Sequence, residues 1–255
     1  MTSIPSDAEI IDLQRALYAS RNPTRRWLHT SRRDIIIDTV RQCALRGARG
    51  RALEVGFGSG VYLSPLAEQF ERVVGSDVES IYLNHSKPSA LKYPNMSLVY
   101  DDITQTKLPR SSFDVVLCTE VIEHISDSAV ALANMHDLLK PGGTLVLSTP
   151  QPYCPLEMAA KIAFLPGIIH MVRLIYQEPI LETGHINLMS SQKVVGQLER
   201  AGFTIRETFK SGMYLPFIAE FAGQRGLQLE KWLEEKLKRG PLDWLLWTQY
   251  YIADA

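Results

Sequence analysis

Hydrophobic and polar positions change rhythm twice along the chain. EIIDLQRALYAS (residues 9–20) and DIIIDTVRQCAL (34–45) repeat apolar residues at helical spacing. Ser6 with Glu9 makes a capping box before the first, and Asn22-Pro23 ends it. Ser31 with Asp34 repeats the device before the second, and Gly47 supplies the stop. From residue 51 short β-rich runs alternate with helical stretches. The strands are RALEV (51–55), RVVGSD (72–77), MSLVYD (96–101), FDVVLCT (113–119) and GTLVLSTP (143–150). Between them VYLSPLAEQF, Ile81 to Leu91 and AVALANMHDLL predict helices. Strands separated by crossover helices predict a parallel sheet covered on both faces.

The rhythm breaks after Pro150. Residues 151 to about 185 are apolar and punctuated by proline. SSQKVVGQLERAGF (190–203) then reads as a helix entering a strand, FTIRETF. A helical stretch covers Leu215 to Lys238, and WLLWTQYYI (244–252) closes as a strand. There is no internal repeat, low-complexity tract or dividing linker.

Composition narrows the class. Of 255 residues, 45% are hydrophobic and 22% charged, the balance of a globular protein. Twenty-seven basic against 28 acidic side chains leave a net charge of −1, so no global field draws nucleic acid. Cys43, Cys118 and Cys154 share no metal-ligand spacing and give no disulfide framework. Lacking a basic stretch followed by an apolar core, MTSIPSDAEI does not read as a secretory signal, and a cytoplasmic location is expected.

The sharpest chemical signal is Leu53-Glu54-Val55-Gly56-Phe57-Gly58-Ser59-Gly60, where the first strand turns into a helix. Glycines there let the backbone approach a ligand, with a helix amino terminus behind them. The second strand ends Gly75-Ser76-Asp77-Val78, and Asp77 falls where such a sheet meets ribose hydroxyls. The third ends at Asp101-Asp102-Ile103, an acid and an aliphatic suited to flank an adenine. The dinucleotide fingerprint requires its last glycine at the position held by Val61, and the third glycine instead falls at Gly60. Glu54 would repel a pyrophosphate and suit a cation.

These motifs resemble those of class I S-adenosylmethionine-dependent methyltransferases. EVGFGSG resembles their first motif and Gly75-Ser76-Asp77 their second. LPRSSFDVVLCTEVIEH resembles the block around their fourth strand, and LLKPGGTLVLSTP the helix and strand that follow. The likeness spans about residues 50–150, nearest the ubiquinone O-methyltransferase branch, although Phe57 stands where that branch usually has cysteine. It implies an α/β, doubly wound, Rossmann-like sheet of seven strands, mostly parallel, with the last antiparallel. A single methyltransferase domain over 1–255 would comprise amino-terminal helices (1–48), a cofactor-binding core (49–150), a lid (151–187) and carboxyl-terminal helices and strands (188–255).

The resemblance also implies a cofactor, S-adenosylmethionine. Gly56, Gly58 and Gly60 would lie along its methionine part, with Glu54 ordering the loop or meeting the amino group. Asp77, followed by Val78, would take the ribose, Asp102 and Ile103 the adenine, and Thr119 the methionine moiety through its backbone. Arg32 or Arg33 would reach the carboxylate or serve as exposed structural arginines. His124 is the candidate base for removing an acceptor proton, and otherwise caps or packs a helix start. If Glu120-Val121-Ile122-Glu123-His124 is helical, Glu120, Glu123 and His124 share one face. With His185, in Glu182-Thr183-Gly184-His185, they would suit a divalent ion such as Mg or Zn. Similar metal sites occur in some ubiquinone and small-RNA 2′-O-methyltransferases. The alternative is a solvated helix end with an unrelated loop histidine.

Residues 162–176, apolar apart from Arg173 and His170 and broken at Pro166-Gly167, read as a roof over the acceptor or as core. A roof implies a small apolar acceptor, such as a quinone, polyketide, terpenoid or lipid, and admits peripheral contact with a membrane. Trp232, Trp244, Trp247, Tyr250 and Tyr251 read as pocket wall or strand filler. The expected reaction is O-methylation. A nucleic-acid acceptor and a non-catalytic binding module are the competing readings.

Overall fold

Seven strands hydrogen-bond into one sheet in the order β3-β2-β1-β4-β5-β7-β6. They are β1 (Arg51–Val55), β2 (Arg72–Asp77), β3 (Met96–Tyr100), β4 (Phe113–Thr119), β5 (Leu139–Pro150), β6 (Thr204–Ser211) and β7 (Thr248–Asp254). β1 through β5 pair in parallel, and β7 runs antiparallel between β5 and β6. The computed structural model describes residues 11, 12, 16–163 and 185–255. The mostly parallel, doubly wound expectation therefore holds, including the inverted last strand.

The central strands are apolar on both faces because both are covered. On β4, Val116 and Cys118 face one core with Leu132 and Met135 of α4 (Ser128–Leu138) and Leu198 of α6 (Ser191–Arg200). Val115 and Leu117 face the other, with Ile36 and Val40 of α1 (Pro23–Leu45) and Leu63 and Leu66 of α2 (Leu63–Gln69). Partly buried Tyr82 and Leu83 of α3 (Ser80–Lys92) join this second core. Tyr250 and Tyr251, adjacent on β7, split between the two cores and are fillers rather than pocket wall.

Three sequence expectations need correction. Asn22-Pro23 ends the first helical segment, as expected, and also opens the next helix, well before Ser31: the Asn22 side chain accepts from Thr24 N and Arg25 N, and Pro23 sits at the first helical position, where its missing N–H costs nothing. Ser31 and Asp34 lie inside that helix, and Ser31 Oγ donates back to Trp27 O at 2.6 Å. The 215–238 stretch divides at Gly223 (φ +51°) into α7 (Pro216–Phe221) and α8 (Gly223–Leu237). WLLWTQYYI opens with a tight turn, Asp243–Leu245, before β7 begins at Thr248. The Gly47 stop is as expected (φ +105°). The Ser6–Glu9 capping box lies outside the described residues, as does the 162–176 lid beyond the end of α5 (Pro155–Ala163).

Two carboxylates on α8, the buried Glu230 and the half-buried Glu234, close the carboxyl-terminal helices onto α1. Glu230 accepts from Thr24 Oγ1 at 2.6 Å and Leu215 N at 2.8 Å. Glu234 accepts from Gly212 N and Met213 N. Arg25 pairs with Glu220 at 2.8 Å. This seats α1 against the carboxyl edge of the sheet. No helix among the described residues is long and apolar enough to cross a membrane.

Candidate active site

After β1 the chain turns through Gly56, Gly58 and Gly60, all with left-handed backbone (φ +66°, +50° and +76°). Gly56 has a second reason to be glycine: a Cβ there would lie 2.6 Å from Val121 Cγ2, on the segment leaving β4. Asp77 holds the loop. Its Oδ2 accepts from Gly58 N at 3.0 Å and its Oδ1 from Glu79 N at 2.9 Å. Burial pushes the Asp77 carboxyl up, opposed by these backbone donors. Each oxygen keeps a lone pair for a ligand hydroxyl.

Glu54, at the end of β1, is 2% exposed, and its Oε2 has no hydrogen-bond partner. Burial, then the neighbouring Asp77, pushes its carboxyl well above the usual range. Two buried acids and one unsatisfied oxygen make a place for a cation. Asp102 caps the turn Ile103–Gln105, accepting from Thr104 N at 2.9 Å and Thr104 Oγ1 at 2.8 Å, and these donors lower its pKa. Ile103 is buried in the core, Val78 is exposed, and Thr119 is half-buried at the end of β4. All these expected residues gather at the carboxyl ends of β1 to β4.

Glu120 departs from the expected helix. Its φ is +54°, and the helical turn begins only at Ile122–His124. The left-handed residue turns the Glu120 side chain to other partners: Oε1 accepts from Ser148 Oγ at 2.9 Å and Oε2 from Arg32 Nη1 at 2.5 Å. Arg32 is buried rather than an exposed structural arginine, and its guanidinium lies 4.8 Å from the centre of the Trp247 ring. Its Nη2 is 3.3 Å from His29 Nδ1. Burial, then the nearby arginines, pushes His29 down to about 3, so the neutral ring accepts this bond. Arg33 pairs with its neighbour Asp34 on the surface.

Glu123, His124 and His185 do come together, each offering a ligand atom within 4.8 Å of the others. Glu120 is not among them, which corrects the expected four-residue set. Glu123 is fully buried: Oε2 accepts from Thr149 Oγ1 at 3.0 Å, and Oε1 has no partner. Burial, then Glu120, pushes its carboxyl well above the usual range. Its backbone carbonyl accepts from Ile186 N at 3.1 Å and Asn187 N at 2.9 Å, which brings His185 beside His124, ring centres 5.2 Å apart. On its other side His185 Nδ1 lies 3.4 Å from Glu157 Oε2. A buried acid with a spare oxygen beside two imidazoles fits a divalent ion, and this nitrogen-rich set suits zinc better than magnesium.

Residues 27–208 match the family described as Methyltransferase domain. The chain belongs to that family. A probable S-adenosylmethionine-dependent methyltransferase of Mycolicibacterium smegmatis is 26% identical over 212 residues, 83% of this chain and 72% of that protein. A ubiquinone biosynthesis O-methyltransferase of Bradyrhizobium sp. is 37% identical over 100 residues, and the match spans only 39% of each protein. The solved N-methyltransferase NodS of Bradyrhizobium japonicum, in complex with S-adenosyl-L-homocysteine, has the same fold: TM-score 0.56 at 16% identity, covering 96% of this chain and 97% of that one.

In this S-adenosylmethionine-dependent methyltransferase two groups of polar side chains stand at the carboxyl ends of the strands: Asp77 and Glu54 at the glycine loop, and Glu123, His124 and His185 beyond β4. Val121, on the segment after β4, lies against Gly56. Sequence reading missed Glu157, the fit of Val121 against Gly56, and the burial of Arg32. None has a local signature, because each is created by contact between distant segments.

Proposed function

We propose that this methyltransferase moves the methyl group of S-adenosylmethionine to an oxygen of a small, largely apolar acceptor with a phenolic or similar hydroxyl end. The observation that carries the reading is Glu123: a fully buried carboxyl with an unpartnered oxygen beside two imidazoles, at the strand end next to the glycine loop. The likeness to ubiquinone biosynthesis O-methyltransferases supports oxygen as the atom methylated.

Gly56, Gly58 and Gly60 would cradle the cofactor, Asp77 would accept from its ribose hydroxyls, and Glu54 would face its positive charge. Transfer is an in-line displacement. The acceptor oxygen attacks the methyl carbon, the carbon–sulfur bond breaks, and its electron pair returns to sulfur, leaving a neutral thioether. The chain contributes orientation and exclusion of water. His124 takes the hydroxyl proton, and His185 and Glu123 orient the acceptor's oxygen end. In the alternative, Glu123, His124 and His185 would hold a divalent zinc ion that lowers the pKa of an acceptor hydroxyl, and His124, its lone pair then on the metal, would not be the base.

The test supplies labelled S-adenosylmethionine with a panel of catechols, hydroquinones, amines and RNA. A methyl ether as product, and its loss in His124→Ala with S-adenosylhomocysteine binding intact, is expected. If zinc is held there, exhaustive chelation abolishes transfer without abolishing cofactor binding; if His124 is the base, transfer survives it. Methylation of only amines or RNA would overturn the oxygen assignment, and full activity in a metal-free sample would remove the ion.

A further inference from the structure

We infer that Glu157 is a positioning residue that fixes the tautomer of His185 by accepting from its Nδ1–H, leaving the lone pair on Nε2. This rests on the reading above that His185 belongs to the transfer site.

Glu157 sits on α5 and is 5% exposed. A carboxylate so placed needs partners for both oxygens. Oε1 faces Trp247 Nε1, an indole N–H that can only donate, at 3.3 Å. Oε2 lies 3.4 Å from His185 Nδ1, a contact that falls short of a well-formed hydrogen bond as it stands, and buried Nδ1 has no other partner. Two acceptors cannot face each other without cost, so the imidazole hydrogen belongs on Nδ1. Neutral imidazole then keeps one lone pair, on Nε2, for a proton or a metal ion.

The carboxylate is held in a rigid frame. Trp247 N donates to Gly212 O at 2.8 Å, Gln151 N donates to Trp247 O at 2.6 Å, and the indole ring lies under the Arg32 guanidinium. Glu157 therefore reaches His185 from a fixed point on the sheet edge. A carboxylate behind an imidazole fixes its orientation and raises its basicity.

The test uses the full chain labelled with ¹⁵N-histidine, read by long-range ¹H–¹⁵N NMR, with His185 assigned from the signals lost in His185→Ala. Expected is the Nδ1–H tautomer in the unaltered protein and a redistribution toward Nε2–H in Glu157→Ala. Transfer should fall about 10- to 100-fold in that variant with S-adenosylhomocysteine affinity unchanged, and Glu157→Gln, which keeps an acceptor oxygen, should restore much of both readouts. An Nε2–H tautomer in the unaltered protein overturns the inference whether or not any variant folds. So does an unchanged tautomer in Glu157→Ala. Full transfer by His185→Ala would instead sink the site reading and leave the tautomer result intact.

Discussion

Arg32 Nη1 and Glu120 Oε2 stand 2.5 Å apart, an ion pair between the first helix and the left-handed residue that ends β4. Both side chains are largely buried, so the pair is worth most when one member is missing. Glu120→Ala should cost about 3–5 kcal/mol in urea unfolding, because it strands a buried guanidinium. Pairing it with Arg32→Met should recover much of that loss. Additive costs in the double variant would show that the two side chains act separately.

Gly56→Ala meets two obstacles. An L-residue with a left-handed backbone costs about 1–2 kcal/mol, and the new methyl would meet Val121 at 2.6 Å. Calorimetry should show weaker S-adenosylhomocysteine binding, partly recovered by adding Val121→Ala. Recovery to the original affinity would mean that crowding alone, not backbone strain, sets the requirement for glycine.

Asp77 serves the loop and the ligand together. Asp77→Ala removes the acceptor for Gly58 N and Glu79 N and the expected acceptor for the ribose. Loss of about 1.5–3 kcal/mol in binding both S-adenosylmethionine and its product is expected. Unchanged affinity by calorimetry would remove Asp77 from the cofactor site.

Glu54 predicts a pH dependence. Its raised pKa means that the folded protein binds the proton more tightly than the unfolded chain does. That stabilisation is complete below the ordinary value of 4.5 and is lost as pH rises toward the folded pKa. Glu54→Gln does not titrate, so its melting temperature should exceed the natural protein's by more at pH 8 than at pH 5. A constant difference across that range would contradict the assignment.

The strands and the glycine loop were legible because they are written locally: unbroken apolar runs for a two-sided sheet, and glycines where strand becomes helix. Asn22-Pro23 both stops the first helical segment, as expected, and caps α1 with Pro at N1, so a start at Ser31 misses the first turns of α1. Ser31 and Asp34 mimic a capping box from within a helix, since a serine hydroxyl there can bond the carbonyl a turn back. The ligand set contained Glu120 because helical spacing was assumed through a residue whose φ is +54°. Glu157 carried no signal, since what makes it functional is His185, far along the chain.

The interior position of β7 has a consequence for how the chain acquires its shape. β5 and β6 are synthesised first but hydrogen-bond to each other only through β7, which comes later in sequence. Until residues 248–254 arrive, β5 has an open edge and β6 lacks a partner. Thr24 and Glu230 add a contact across 206 residues of sequence. Such long closures slow folding and leave unpaired edges exposed meanwhile. The helix carrying Arg32 can be clamped by Glu230 only after α8 has formed. A nascent chain stalled before β7 should therefore carry a cofactor half that is largely written but not yet closed, and be prone to pair with its own kind.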